Sequence, residues 1–303
     1  MNNAAEIGLP IPAEVVAAAL NGHDDFRVLR RIRPMRRDGG GMRTGMYVGC
    51  ALAITTTGPD HDRDDLIELA VQRFWGDTSG RIVTTGPAHA WLEEPHGTVP
   101  DEVTNVTGLT DEDVCGHHIL DAVATSLIID ADFVVTHDAA TVRPFVEARL
   151  PFASGAKWVC TSRDVGWAAH GFDGSTLPHL LCEAGWFPDK GTADSAVLAL
   201  LHLLDHPLPS GGTVLSDAVG RAAHPTWSID AAGAPFEAGK VLQERGYRWG
   251  GSPGSWSREV SPDAWRTEAQ WVALEVYGGL GAPEAREVTW QERYAAKRSA
   301  CWS

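Results

Sequence analysis

A chain of 303 residues, 44% hydrophobic and 21% charged, can bury one sizeable core or two smaller ones, and its mixed composition excludes a disordered or collagen-like polymer. No run approaches the roughly 18 apolar residues of a membrane span, and residues 1–20 lack the basic start and apolar stretch of a signal peptide, so a soluble, cytoplasmic protein without membrane association is expected. The net charge of −15 is concentrated in residues 44–204, which hold 8 bases against 23 acids and would repel a phosphate backbone.

In chain order, Glu14 to Leu20 reads as a short helix. The arginines Arg27, Arg30, Arg31, Arg33, Arg36 and Arg37 resemble a nucleic-acid patch, but a solvated linker is the expected role, and Gly39, Gly40 and Gly41 mark a flexible joint. Strands are predicted over Tyr47 to Thr55, Leu66 to Phe74 and Arg81 to Leu92, with a turn at Gly58-Pro59 between the first two. Thr110 to Asp113 carries a capping-box pattern ahead of a helix, Ser126 to Ile129 is helical, and Phe133-Val134-Val135 is a buried strand of the parallel kind. Helices are expected at Pro144 to Leu150, Thr176 to Ala184 and Ala193 to Leu204, the last apolar on nearly every face.

The cluster Pro207 to Gly212 then separates a smaller α+β module: strand Thr226 to Asp230, helix Glu237 to Arg245, hairpin Tyr247 to Val260, helix Pro262 to Tyr277, strand Glu287 to Glu292. Seven of the twelve tryptophans fall there (Trp227, Trp249, Trp256, Trp265, Trp271, Trp290 and Trp302), a density that reads as core or as a surface for a protein partner before a base-stacking platform. The expected organisation is an N-terminal helix and Arg-rich linker over 1–44, an α/β domain over 45–205 and a Trp-rich accessory domain over 206–303. The five cysteines are odd in number and lack CxxC spacing, which writes neither a disulfide framework nor a zinc knuckle.

Four ordered segments carry a family resemblance. These are Ala53-Ile-Thr55-Thr56-Thr57-Gly58 with Asp65-Leu-Ile-Glu68, Val99 to Asp111, Thr136-His137-Asp138-Ala139-Ala140-Thr141-Val142-Arg143-Pro144-Phe145, and Trp158 to Asp164 with the helix ending Ala199-Leu-Leu201. Together they resemble the DEDDh 3'–5' exonucleases, the family of the proofreading subunit of bacterial DNA polymerase III. The resemblance implies an α/β, RNase H-like exonuclease fold, a mixed sheet with flanking helices, over residues 45–205, and the tail resembles an extra domain of some bacterial members. It also implies two divalent ions on four carboxylates, with a histidine as general base. At the matching positions this chain has Ala53 and Thr55, then Val142, then Gly191 for the histidine and Ala196 for the last aspartate. A two-residue slip would substitute Asp189 and Asp194, and no histidine lies between Leu180 and Leu201.

Small neutral groups hold no hard cation, so no metal site and no cofactor are expected. The altered cleft, lined by Ala53, Thr55, Thr56, Thr57, Thr141, Val142, Asp194 and Ala196, suits a small organic ligand better than a phosphodiester. Asp138, expected to be desolvated with a raised pKa, and its neighbour His137 are the candidate proton-transfer pair; the bland reading makes His137 a hydrogen-bonded strand-end residue and Asp138 a turn cap. His117-His118 and the acids around His61 read as solvated surface, Cys50 and Cys160 as packing residues, and Ser162, His170 and Asp164 form no convincing triad. Three functions are open at this level. The first is a metal-independent enzyme acting on a small molecule in the former cleft. The second is a non-catalytic module binding nucleic acid or, through the Trp-rich tail, a protein. The third, least supported, is an active exonuclease with ligands moved to Asp138, Asp189 and Asp194.

Overall fold

The computed structural model describes residues 11–35, 45–188, 191–250 and 254–296. Gly39 to Gly41, Arg36, Arg37, Asp189 and Trp302, named above, and one of the five cysteines, Cys301, lie outside those residues. Helix α1 (Ala13–Asn21) and strand β1 (Arg30–Arg31) precede the long strands β2 (Tyr47–Thr56), β3 (Leu66–Gly76) and β4 (Ile82–Leu92). Then come α2 (Asp101–Thr107), α3 (Asp111–Val114), α4 (Asp121–Ile129), β5 (Phe133–Thr136), α5 (Ala139–Arg149), β6 (Trp158–Cys160), α6 (Leu177–Glu183), β7 (Trp186–Phe187), α7 (Ala193–Leu204) and α8 (Val214–Ala223). The last part holds β8 (Thr226–Ala231), α9 (Gly239–Glu244), β9 (Arg248–Gly250), β10 (Ser255–Val260), α10 (Trp265–Trp271) with a π-helical turn Val272–Val276, and β11 (Glu284–Val288).

The central sheet runs β4-β3-β2-β5-β6; β2, β3 and β4 pair antiparallel, while β5 and β6 run parallel to β2. Alternation along β2 sends Cys50 and Leu52 to one face and Ala51 and Ala53 to the other. The first face packs against α4 and α5 through Ala124, Ile128, Val142 and Phe145. The second packs against α6, α7 and α8 through Leu180, Leu200, Leu203 and Leu215. Small side chains at Ala51, Ala53 and Ala70 on that second face let the largely apolar α7 lie close to the sheet. The second sheet, β11-β8-β10-β9, closes over a separate core of Ile229, Leu242, Tyr247 and Val272, with Trp227 and Trp265 stacked at a centroid separation of 4.1 Å. This is the α/β layering, a mixed sheet with flanking helices beside a small α+β module, that the sequence led us to expect. Among the described residues no helix is long and apolar enough to cross a membrane.

Several boundaries differ from expectation for identifiable reasons. Helix α5 starts at Ala139, not Pro144, because the Thr141 and Val142 N–H groups both reach the Asp138 carbonyl and set the turn before the proline. Strand β11 ends at Val288; beyond it Glu292 accepts hydrogen bonds from the Thr289 N–H (3.2 Å) and hydroxyl (3.0 Å), which turns the chain where a strand was expected. The arginine segment is no free linker over its described part. Arg30–Arg31 pairs in parallel with Trp186–Phe187, and Ile32 is buried in the main core. Packing also changes character later than residue 205: α8, which sequence periodicity missed, contributes Val214, Leu215, Ala218 and Ala222 to the core of the first domain. The segment after β11 then returns to that domain, with Trp290 against Phe133 and its carbonyl accepting from the Trp158 N–H (3.1 Å).

Candidate functional site

Register sets the end of β2. Thr55 lies directly across from Glu68 on β3, just before a bulge at Thr56. The Thr55 hydroxyl donates to Glu68 Oε2 (2.8 Å), and the same oxygen accepts the N–H of Ala193, the first residue of α7 (2.8 Å). The first N–H groups of a helix have no intrahelical acceptor, so this carboxylate from a neighbouring strand satisfies one of them while meeting the positive end of the helix dipole. Glu68 is only 4% exposed. The Glu68 carboxylate is therefore committed to joining sheet and helix. A lone glutamate inside the apolar run Leu66 to Ala70 was the sequence signal for it, since a buried charge has to have a partner.

The remaining positions divide among three surroundings. Ala53 packs on the α7 side of the sheet, whereas Val142, 9% exposed, points into the core on the α5 side with Cys50, Leu52 and Ile54. Thr56 and Thr57 hold the following loop: the Thr56 hydroxyl donates to the Gly58 carbonyl (2.6 Å), and the Thr57 hydroxyl accepts from the Asp65 N–H (2.9 Å). Asp194 accepts from the Thr192 hydroxyl and the Ser195 N–H, within the first turn of α7, and Ala196 is half-buried in the next. Gly191 packs against α2 so tightly that a Cβ there would lie 2.7 Å from the Val106 carbonyl oxygen. A histidine at that position would displace backbone.

Asp138 is exposed, contrary to the desolvated carboxylate expected. It occupies the position before α5, and its Oδ2 accepts from the Thr141 hydroxyl (2.7 Å). His137 has both ring nitrogens engaged, Nε2 with the Ser175 carbonyl (2.7 Å) and Nδ1 with Thr161 Oγ1 (2.9 Å). A carbonyl only accepts, so Nε2 carries the proton and Nδ1 is left to accept from the threonine. Burial holds the His137 pKa below the usual histidine value, against the opposing pull of the Ser175 carbonyl and Asp138, which keeps the ring neutral. A residue whose folded pKa lies below its unfolded one supports the fold above the unfolded value and loses that support as pH falls. Stability should therefore drop as pH falls below about 6.5. His137→Gln, which keeps a donor for Ser175, should make that drop shallower in urea titrations between pH 7.5 and 5. An unchanged slope would show that His137 does not titrate on unfolding.

Other candidates resolve simply. Burial pushes the Cys50 thiol up to about 12 and raises that of Cys160, so both are inert packing groups. Asp164 accepts from the Cys160 N–H (2.8 Å) and the Tyr294 hydroxyl (3.0 Å), while His170 bonds Asp217 (3.1 Å), so these two residues form no triad with Ser162. Among the described residues the one group of three possible ligands within 4.8 Å of each other is Asp60, His61 and Asp62, a hydrogen-bonded surface loop with exposed carboxylates. Divalent ions of the kind the family resemblance implies do not fit Ala53, the committed Thr55, Val142 and Ala196.

No family model matches the chain, and no curated protein matches it. Among solved structures it is similar to exonuclease X in complex with 5' overhanging duplex DNA, at 17% identity over 57% of this chain and 99% of that one, with a TM-score of 0.41. It is also similar to a full-length 3'-exonuclease, at 13% identity over 55% and 62% of the two chains and a TM-score of 0.41. E. coli exonuclease I in complex with a dA16 oligonucleotide aligns at 10% identity over 76% and 68%, with a TM-score of 0.47.

Proposed function

We propose that this chain is an exonuclease-fold protein without metal-dependent nuclease activity, which works as a binding module and not as an enzyme at its former catalytic end. The observation that carries the reading is Glu68, whose carboxylate is shared between the Thr55 hydroxyl and the Ala193 N–H in the absence of any carboxylate at positions 53, 55, 142 or 196. Losing one catalytic group costs about 10²–10⁴ in rate, and losing a coupled set removes most catalysis. The same geometry weighs against a metal-independent enzyme built on His137 and Asp138, since the first has no free nitrogen and the second stands in solvent.

The test is incubation of the full chain with a 5'-labelled single-stranded oligonucleotide and Mg²⁺ or Mn²⁺. No shortening above the level of a metal-free control is expected. Metal-dependent shortening that disappears in Glu68→Gln would overturn the proposal, because it would make Glu68 a working ligand in this chain.

A further inference from the structure

Between the two domains lies a cleft of about 1190 Å³, walled on one side by Ala140 and Pro144 of α5 and on the other by β8 to β11. Its lining contrasts with the rest of this acidic chain. Arg163, Arg248, Arg258, Arg286 and Arg293 all face it, against the carboxylates of Asp62, Glu259 and Glu292. Three of the five guanidiniums are occupied: Arg293 by Glu259 (2.8 Å), Arg258 by Glu268 (3.2 Å) and Arg286 by Asp230 (4.0 Å). Arg163 and Arg248 are exposed and have no carboxylate partner among the described residues. Arg163 sits beside an aromatic ring. Its guanidinium lies over the Tyr294 ring, 5.9 Å from the centroid, and that ring is anchored through its hydroxyl to buried Asp164. Tyr294 itself sits at φ 70, the one non-glycine residue with positive φ among those described, a conformation that persists only where surrounding contacts hold it.

We propose that this cleft binds a small phosphorylated ligand, its phosphate taken by Arg163 and Arg248. Planar guanidiniums without carboxylate partners match phosphate oxygens in two-point contacts, and stacking on Tyr294 lowers the ordering cost for one of them. The volume is somewhat above the common range for small-molecule sites, enough for a ligand of nucleotide size. The three carboxylates spaced among the arginines would repel a long uniform polyanion more than a compact one. The site is on the side of α5 away from Val142, and the proposal does not depend on the loss of nuclease chemistry.

Binding of inorganic pyrophosphate and of adenosine 5'-diphosphate to the full chain would be measured by calorimetry at low salt, with adenosine and a 12-nucleotide single strand as comparisons. The two phosphorylated probes should bind and adenosine should not. Arg163→Gln with Arg248→Gln should weaken both at least tenfold with an unchanged unfolding midpoint, while exposed Arg266→Gln outside the cleft should leave binding as it was. Absence of binding by both phosphorylated probes, affinity indifferent to the double substitution, or binding of the oligonucleotide alone would each overturn the proposal.

Discussion

Arg293→Ala is expected to cost about 3–5 kcal/mol, because it leaves buried Asp164 without the guanidinium 3.8 Å away and strands the other acceptors around it. The side chain is 5% exposed and serves four acceptors: Glu259 Oε1 (2.8 Å), the carbonyls of Ala222 (3.0 Å) and His224 (3.0 Å), and Thr226 Oγ1 (3.1 Å). Ala222 and His224 close α8 in the first domain and Thr226 opens β8 in the second, so one guanidinium fastens the junction. Arg143 reinforces it from α5 by donating to the carbonyls of Arg293 (2.7 Å) and Gln291 (2.8 Å). Asp164, whose pKa burial raises against the stabilising pull of the Cys160 N–H, Arg293 and Tyr294, would lose its nearby positive charge as well. Arg293→Lys keeps the charge but not the planar fork and should recover only a minor part. Urea titration followed by tryptophan fluorescence would read the change, and a loss below about 1 kcal/mol would show that the junction is held elsewhere.

A cost of similar size, about 3–5 kcal/mol, is expected for Phe74→Ala in the main core. Phe74 is fully buried and directly across from Gly49, with its ring occupying the space of the missing side chain: a Cβ built on Gly49 would lie 2.1 Å from Cζ and 2.6 Å from Cε1. Gly49→Ala therefore forces the ring aside, and overpacking of this kind costs about 1–3 kcal/mol or more. The two effects should not add. In the Phe74→Ala background the new methyl enters vacated space, so Gly49→Ala should become close to neutral, a coupling that a double-mutant cycle in denaturant measures directly. Equal costs of Gly49→Ala in both backgrounds would mean that the strand, not the ring, resists the substitution.

The long elements were legible because their periodicity was strong. Strands β2, β3 and β4 and helix α7 fall where alternation and a continuous apolar run place them, to within two residues at either end. Helix α8 was hidden by the Pro207 to Gly212 cluster before it, which reads as a linker but forms a tight turn closed by a bridge between Pro207 and Thr213. The motif residue Arg143 was visible through resemblance alone, and its use, capturing two carbonyls about 150 positions away, depends on a contact that no local pattern encodes. For His137 and Asp138 the geometry agrees with the plainer reading, a hydrogen-bonded strand-end residue and a turn cap. Whether His137 has a free nitrogen depends on what other segments bring near, and those are Ser175 and Thr161.

By itself the amino-acid sequence determined which side chains stand at the positions the resemblance marks and the kind of layers the chain builds, because residue identity and hydrophobic period are properties of the chain alone. Only the tertiary structure decided which charges are spent and which are left over. It consumed Glu68 at the start of α7 and Arg293 at the junction between the domains, and left Arg163 and Arg248, both lining one cleft, without a carboxylate partner among the described residues. Partnership between charges falls off over a few ångströms in folded space, and residues that close in space here lie far apart in sequence, Glu68 and Ala193 by 125 positions and Arg293 and Ala222 by 71.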